Sequence, residues 1–489
     1  MRYVIIIASF CLTFACQTTT NKVNNSGNIA IERLSQAMLL LQEAYPYANT
    51  DHLIFLTDNV TKLPKNRLEY VTSFFRYDPN FLLSRGSNNA DVGSPSHLWV
   101  TYWNSIAHAN YFLNIHNDVE QDLAYKASLA AEAYLIRAYS HFMLVNIFAK
   151  QYRLTSLQEP GIPYVTSIER RLTQEYERLT VAEVYKNIEE DLLQGLKDIS
   201  YDAYSPAKQP FHFTPISANA FAVRYYLYVG AYDQVIEYAD ECFNQHRKRT
   251  GIKPDKAVRA NVKDYYRTSI QQNLLFSSTL SSQDNVNTQT TQALKDSLFN
   301  IFKGNTNRLS VIPKDDARAE VTLNSTGTKP IFTIEEVFLS KTEALTHLNK
   351  IEDALKQLNL FIRKRYPDFA EGVAVEDIVN FYNQNYVFYS SEERIRKGFF
   401  SYPYTAQFPF SKQDALLMAI WDQRRREFLA QRGDRWFEIK RNNLEVIHTE
   451  EDPSTLKKIS YHIRGDDAKT AIQIPRFAVD NKGGAPNAY

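Results

Sequence analysis

Cysteine is almost absent. Of three in the chain, Cys11 and Cys16 lie in the first sixteen residues, which leaves Cys242 alone in the body. A lone thiol excludes an intramolecular disulfide and any multi-cysteine metal site. An excess of charge is missing too: 56 Lys and Arg stand against 55 Asp and Glu. No global attraction to polyanions follows from that balance, and nucleic acid is not an expected partner. Beyond the N-terminus no apolar run is long enough to cross a bilayer as a helix. The motifs of the common hydrolases and nucleotide enzymes are missing as well. There is no Gly-x-Ser-x-Gly elbow, no His-Glu-x-x-His and no phosphate-cradling glycine loop. The ten histidines are scattered. His108 and His116 can share one helix, but two residues eight apart need further ligands to hold a metal. Adjacent acids recur, as in Glu189-Glu190-Asp191, Asp315-Asp316 and Glu392-Glu393. A glycosidase needs two carboxyls facing each other at a set separation, which neighbours on a helix do not supply. No catalytic residue, metal or cofactor is therefore expected.

What is present begins with a leader. Arg2 precedes an apolar run from Tyr3 to Ala15 that is too short for a stable span. It ends at Ala15-Cys16, where a bacterial lipoprotein is cut and its cysteine thiol takes lipid. Leu12 sits one place upstream of the usual lipobox leucine. Residues 1–15 thus read as a lipoprotein signal peptide, Cys16 as a lipid anchor, and the polar stretch 16–27 as a flexible tether.

Helical periodicity dominates residues 28–489, expected to be a single body. Helices are expected at Ile29–Ala44, Leu98–Ile115, Lys126–Phe148 and Gln413–Arg432. Thr180 with Glu183 and Thr333 with Glu336 have capping-box spacing, and Thr214-Pro215 sets a good N-cap before a proline. Gly433 is placed to end one helix and Asp434 to cap the next. Two helix pairs, Ser217–Phe243 with its turn at Gly230-Ala-Tyr232 and Glu335–Ile362 with its turn at Asn349, have the look of tetratricopeptide repeats. Such a pair buries one stripe and must stack on neighbours. The scaffold is assigned to about 28–246 and 333–365, and a less regular, loop-rich lobe to about 247–332 and 366–489.

Four stretches carry a resemblance. The first is Ile420-Trp-Asp-Gln-Arg-Arg-Arg-Glu427, followed by Gly433-Asp-Arg435-Trp436-Phe437-Glu438-Ile-Lys-Arg441. Ile472-Gln-Ile-Pro475 with Asn487-Ala-Tyr489 closes the chain. Ala131-Glu-Ala-Tyr-Leu-Ile-Arg137 leads to Gly161-Ile-Pro163, and Arg178-Leu-Thr180 leads to Tyr185, Ile188 and Asp191. Together, and in their order along the chain, they resemble the SusD/RagB family of Bacteroidetes-type surface lipoproteins. Gln423 and Gln431 stand where the family prefers glutamate, Glu438 where it prefers aspartate, and Pro486 and Ala488 for its glutamine and glycine. The resemblance implies a mainly α, tetratricopeptide-like scaffold and a lipid anchor in the outer membrane, at the cell surface. Gln17 to Lys22 lacks the acidic residues that exported members often carry there. It also implies a SusC-like TonB-dependent transporter as partner, and an oligosaccharide or peptide cargo held without chemistry. Glu427, Gly433, Arg435, Trp436, Phe437 and Arg441 are then a structural motif.

Tyrosine and phenylalanine are abundant, at 31 and 29, and exposed rings give sugars or peptides a flat platform. Two segments mix rings with hydrogen-bonding groups. One offers Arg85, Asn88, Asn89, Asp91 and Trp99, the part of the chain from which family members often contact ligand. The other offers Tyr386, Tyr389 and Tyr402. Two other classes stay open: a secreted glycoside hydrolase or peptidase-like enzyme with an unrecognised site, and a helical-repeat adaptor that binds protein alone.

Overall fold

A computed structural model of the chain describes residues 34–48, 50, 53, 56–57, 60–62, 95–118, 122–154, 157–169, 176–258, 272–279, 289–290, 327–365, 372–386, 408–428, 433–451, 458–475 and 477–478. Cys16, Arg85, Asn88, Asn89, Asp91, Tyr389, Tyr402 and the Asn487–Tyr489 ending lie outside these residues.

The described elements are mostly helices. In chain order they are α1 (Leu34–Glu43), α2 (Pro95–Ile115), α3 (Leu123–Phe148), α4 (Val181–Asp198), α5 (Pro215–Val229), α6 (Tyr232–Thr250), the short α7 (Pro254–Ala257), α8 (Ile334–His347), α9 (Ile351–Arg365), α10 (Val375–Tyr386), α11 (Lys412–Glu427) and α12 (Asp434–Arg441). Strands β1 (Val60–Lys62), β2 (Asn273–Thr279), β3 (Gln289–Thr290), β4 (Gly327–Thr333), β5 (Glu445–Glu451) and β6 (Lys458–Arg464) form antiparallel pairs, β1 with β3, β2 with β4 and β5 with β6.

The core is built on α3. Every residue from Ser128 to Phe148 except Tyr134 is buried, as expected for a helix that is apolar on all sides. Asp122 caps its start by accepting the amide of Tyr125. On either side lie α2 and α4. Helix α4 is amphipathic: Val181, Val184, Tyr185, Ile188 and Leu192 form its buried stripe at three- and four-residue steps. Each fully buried aliphatic there contributes about 1.5–3 kcal/mol. The capping box at Thr180 is complete, with the Glu183 amide on Oγ1 and the Thr180 amide on the Glu183 carboxylate.

Next come two stacked helix hairpins, α5–α6 and α8–α9, joined through α6 against α8. Both turns use a left-handed residue, Gly230 with φ of 80° and Asn349 with φ of 57°. Thr214 begins α5, its amide donating to Ser217 Oγ at 2.8 Å ahead of Pro215. At α8 the expected capping box is half made. Thr333 Oγ1 accepts the Glu336 amide, but the Glu336 carboxylate turns away to the buried guanidinium of Arg224. A charged bond outweighs a reciprocal cap. Helix α11 then lies on α8 and α9, and α10 on α11. Expectations at this end need two corrections. Helix α11 ends at Glu427 rather than running to Arg432, and Gly433, in the left-handed region at φ 67°, itself occupies the N-cap of α12. Asp434 is the first residue of α12, where its charge complements the helix dipole.

Candidate functional site

The motif residues converge where α8, α11 and α12 meet. Arg441 of α12 grips Glu343 of α8 with two bonds, at 2.6 and 3.0 Å, and reaches Glu438 at 2.8 Å. Arg424 of α11 donates to Glu438 at 2.9 Å and to Ser340 Oγ at 3.0 Å. The indole N–H of Trp421 completes the shell of Glu343 at 2.8 Å. Burial pushes the Glu343 carboxyl up, yet Arg441, His347 and Arg424 outweigh it and hold the group well below the usual carboxylate range. The Arg441 guanidinium, penalised by burial, is raised in turn by Glu343 and Glu438. Glu427 accepts both its bonds from Arg365 of α9, at 2.5 and 2.6 Å. Trp436 is wholly buried, with Phe437 beside it in the core and Arg435 buried as well. A Cβ at Gly433 would lie 2.6 Å from the Thr50 carbonyl oxygen and 2.8 Å from Leu53 Cβ.

The same device recurs elsewhere in the core. Arg137 of α3 clamps Asp191 of α4 at 2.6 and 2.7 Å and reaches Asn110 of α2 at 2.8 Å, while Tyr164 donates to Asp191 at 2.6 Å. Arg224 of α5 holds Glu336 of α8 at 2.5 and 2.6 Å and bonds the carbonyl of Ile331. Glu132 lies buried in α3 and accepts from Tyr45 and Tyr204 hydroxyls, each at 2.6 Å, with His212 Nδ1 at 2.8 Å. Lys440, also buried, donates to the carbonyls of Asn146 and Ala149 at the end of α3. Desolvation, helped by Arg153, lowers its pKa to about 7. Breaking one partner out of a buried pair costs about 3–5 kcal/mol, so these groups serve packing.

A cavity of about 50 Å³ sits among Tyr102, Tyr139, Arg224, Glu336, Arg424 and Glu438. It has room for a few water molecules, each needing about 10–15 Å³, and none for a sugar ring.

Trp99 is half-buried at the start of α2, next to the segment that carries the other expected ligand residues. Its ring meets Phe148 edge-on at 5.0 Å and Trp103 at 5.6 Å. Trp103 meets His141 at 5.6 Å, and His141 stacks on Tyr164 at 3.8 Å. His141 accepts the Val165 amide at Nε2, so its Nδ1 carries the proton and donates to the Arg137 carbonyl at 2.9 Å. Burial first, then the Arg137 charge, brings its pKa down to about 3. A ring that is neutral and doubly bonded is not available as a base. His116 Nδ1 is 2.7 Å from the Leu113 carbonyl, and burial lowers the pKa of His108. Tyr386 ends α10, and its side chain lies outside the described residues. No described group of three or more His, Cys, Asp or Glu side chains is arranged to hold a metal.

Two family models cover the chain. One, described as starch-binding and associating with the outer membrane, matches residues 28–227, and the SusD family model matches residues 223–480. The chain belongs to the SusD family. No protein of curated function matches its sequence. Among solved structures, this SusD-family chain is similar to a putative sugar-binding protein from Bacteroides vulgatus, at 17% identity, 94% coverage of this chain, 99% of that one and a TM-score of 0.65. A SusD superfamily protein from Bacteroides thetaiotaomicron shares 16% identity over 94% of this chain and all of the other, with a TM-score of 0.58. A laminarin-binding SusD-like protein shares 15% over 93% and 99%, with a TM-score of 0.57. At such identities the likeness shows the fold, which is the helical, tetratricopeptide-like SusD architecture.

Glu343, Arg365 and Arg224, which complete these pairs, lie outside the motif and were not singled out from the sequence. An acid inside an otherwise apolar helix face was the available signal, as at Glu343 between Leu339 and Leu345.

Proposed function

We propose that the protein binds a glycan reversibly at the outer membrane and passes it to a SusC-like TonB-dependent transporter. Membership of the SusD family, together with the match of residues 28–227 to a model described as starch-binding and associating with the outer membrane, carries this reading. The core supports it from the other side. Its carboxylates, among them Glu343, Glu427 and Asp191, are engaged by guanidiniums, an arrangement that serves structure. The lipid at Cys16 and the polar tether confine the body beside a transporter in the same membrane, so modest contacts suffice for pairing. Release demands weak binding, with a Kd of roughly micromolar, about −8 kcal/mol. Cargo contact is assigned to the segment holding Arg85, Asn88, Asn89, Asp91 and Trp99 and to the one holding Tyr386, Tyr389 and Tyr402.

A glycan array on the mature protein, run beside a peptide pull-down and a turnover assay, tests the activity. Retention of a glycan with no products is expected, and hydrolysis of a bound oligosaccharide or peptide overturns the reading. Cys16→Ser is expected to release the protein from carbonate-washed membranes. The transporter is expected to co-purify from detergent-solubilised outer membranes. Recovery of this protein alone, where other transporter complexes survive, rejects the delivery step.

A further inference from the structure

We infer that the end of the stack where α6 and α9 finish is a docking surface for a phosphate-bearing lipid membrane. The inference rests on the anchoring proposed above and adds a face and an orientation to it. Phe338 of α8 is in ring contact with Phe243 of α6 at 5.8 Å and with Phe361 of α9 at 6.0 Å. Both helices run antiparallel to α8, Tyr232 at the start of α6 stacking on His347 at its end. They are therefore level and parallel, and their last turns emerge together. Those turns carry Arg247, Lys248 and Arg249 on α6 and Arg363 on α9. Helix α7 packs against both and sets Lys253 and Lys256 alongside. All six cations are exposed.

A cation complements a helix dipole only within the last turn, and Lys253 lies beyond the end of α6 and ahead of α7. Arg249 is already occupied, stacked on Tyr201 at 4.3 Å and bonded to Gln209 at 2.8 Å. Arg247, Lys248, Lys253 and Lys256 make no ion pair among the described residues. The cluster is local, since the whole chain has a net charge of only +1. A glycan needs a ring platform and aimed hydrogen bonds, whereas the ring beside these cations, Tyr201, is covered by Arg249. Exposed point charges suit a plane of phosphates, which asks for charge and not for shape. The place is right as well. Tyr125 joins Met38 of α1 to the carbonyl of Ala203, two residues from Tyr201. The first described helix thus lies near the segment that Arg249 clamps, and a lipid on the tether upstream leaves this end within reach of the membrane.

The test uses the body without leader or lipid, residues 17–489, so that vesicle binding reads the protein surface. Sedimentation with vesicles of phosphatidylglycerol in phosphatidylcholine is expected, with little on phosphatidylcholine alone and loss in high salt. Each cation near such a surface is worth about fivefold, so the triple variant Arg247→Gln, Lys248→Gln, Lys253→Gln is expected to bind on the order of a hundredfold more weakly. Its melting temperature and glycan binding are expected to stay unchanged. Equal binding by the variant, equal binding to neutral vesicles, or capture of an acidic polysaccharide without vesicle binding each overturns the inference. A wrong anchor assignment shows separately, as wild type and Cys16→Ser fractionating alike in cells.

Discussion

Replacing Gly433 with alanine isolates what the motif glycine does, because the fold supplies its own control. Gly433 and Gly251 share nearly the same backbone, with φ of 67° and 72°. An L-residue in that region costs about 1–2 kcal/mol from the clash of Cβ with its own peptide. At Gly251 that is the whole cost, since nothing lies within 4 Å of an added Cβ. At Gly433 the same atom would meet the Thr50 carbonyl oxygen at 2.6 Å, Leu53 Cβ at 2.8 Å and Leu53 Cδ1 at 3.0 Å. Backbone and a buried Cβ cannot swing aside as a side-chain tip does, so the segment near residues 50–53 must move off the start of α12. Overpacking of that kind adds about 1–3 kcal/mol. Gly251→Ala is therefore expected to lose about 1 kcal/mol and Gly433→Ala about 3 kcal/mol, read as urea midpoints at constant slope. If the two variants lose the same stability, the close approach of Thr50 and Leu53 is not what requires the glycine.

Three further outcomes follow from the core. Trp436→Ala removes a wholly buried ring and is expected to cost about 3–5 kcal/mol with glycan binding retained at low temperature; an unchanged melting temperature with lost glycan binding contradicts the packing role. Glu427→Leu takes away the carboxylate that the buried Arg365 holds and is expected to cost about 3–5 kcal/mol, while adding Arg365→Met recovers most of it; a double variant no better than the single rejects the clamp. His141 is held below its ordinary pKa of about 6.5, so the stability of its neutral form is complete above that value and is lost as pH falls from there towards 3. At about pH 5 the loss is about 2 kcal/mol from this ring, with His97 and His108, also lowered by burial, adding to it. Urea midpoints that do not shift between about pH 7.5 and about pH 5 would count against the assignment.

Much of the scaffold was legible because its signals are local. The stripe of α4 repeats at helical spacing, Thr180 and Glu183 lie three apart, and Gly230 and Asn349 mark their hairpin turns. What stayed hidden is non-local. Nothing near Glu336 says that Arg224, more than a hundred residues earlier, takes its carboxylate away from the cap. Nor does the run 424–427 reveal that its acid belongs to Arg365 on another helix. The α11–α12 junction misled for a related reason. Gly433 reads as a helix stop, but its conformation serves the close packing of Thr50 and Leu53, which lie hundreds of residues away. Of the expected ligand residues only Trp99 has a described side chain, and it is already engaged with Phe148 and Trp103.

The arginine forks have a mechanical consequence. Apolar side chains tolerate sliding, because one methyl contact replaces another. A guanidinium gripping a carboxylate with two bonds has no second position: a one-turn slip, about 5.4 Å, strands both charges in the interior. Such forks bolt α3 to α4, α5 to α8 and α12 to α8, and between α9 and α11 the Nη2 of Arg365 spans both oxygens of Glu427. The helices are therefore geared to one another, and a displacement of one is handed on to the next instead of being absorbed in its packing.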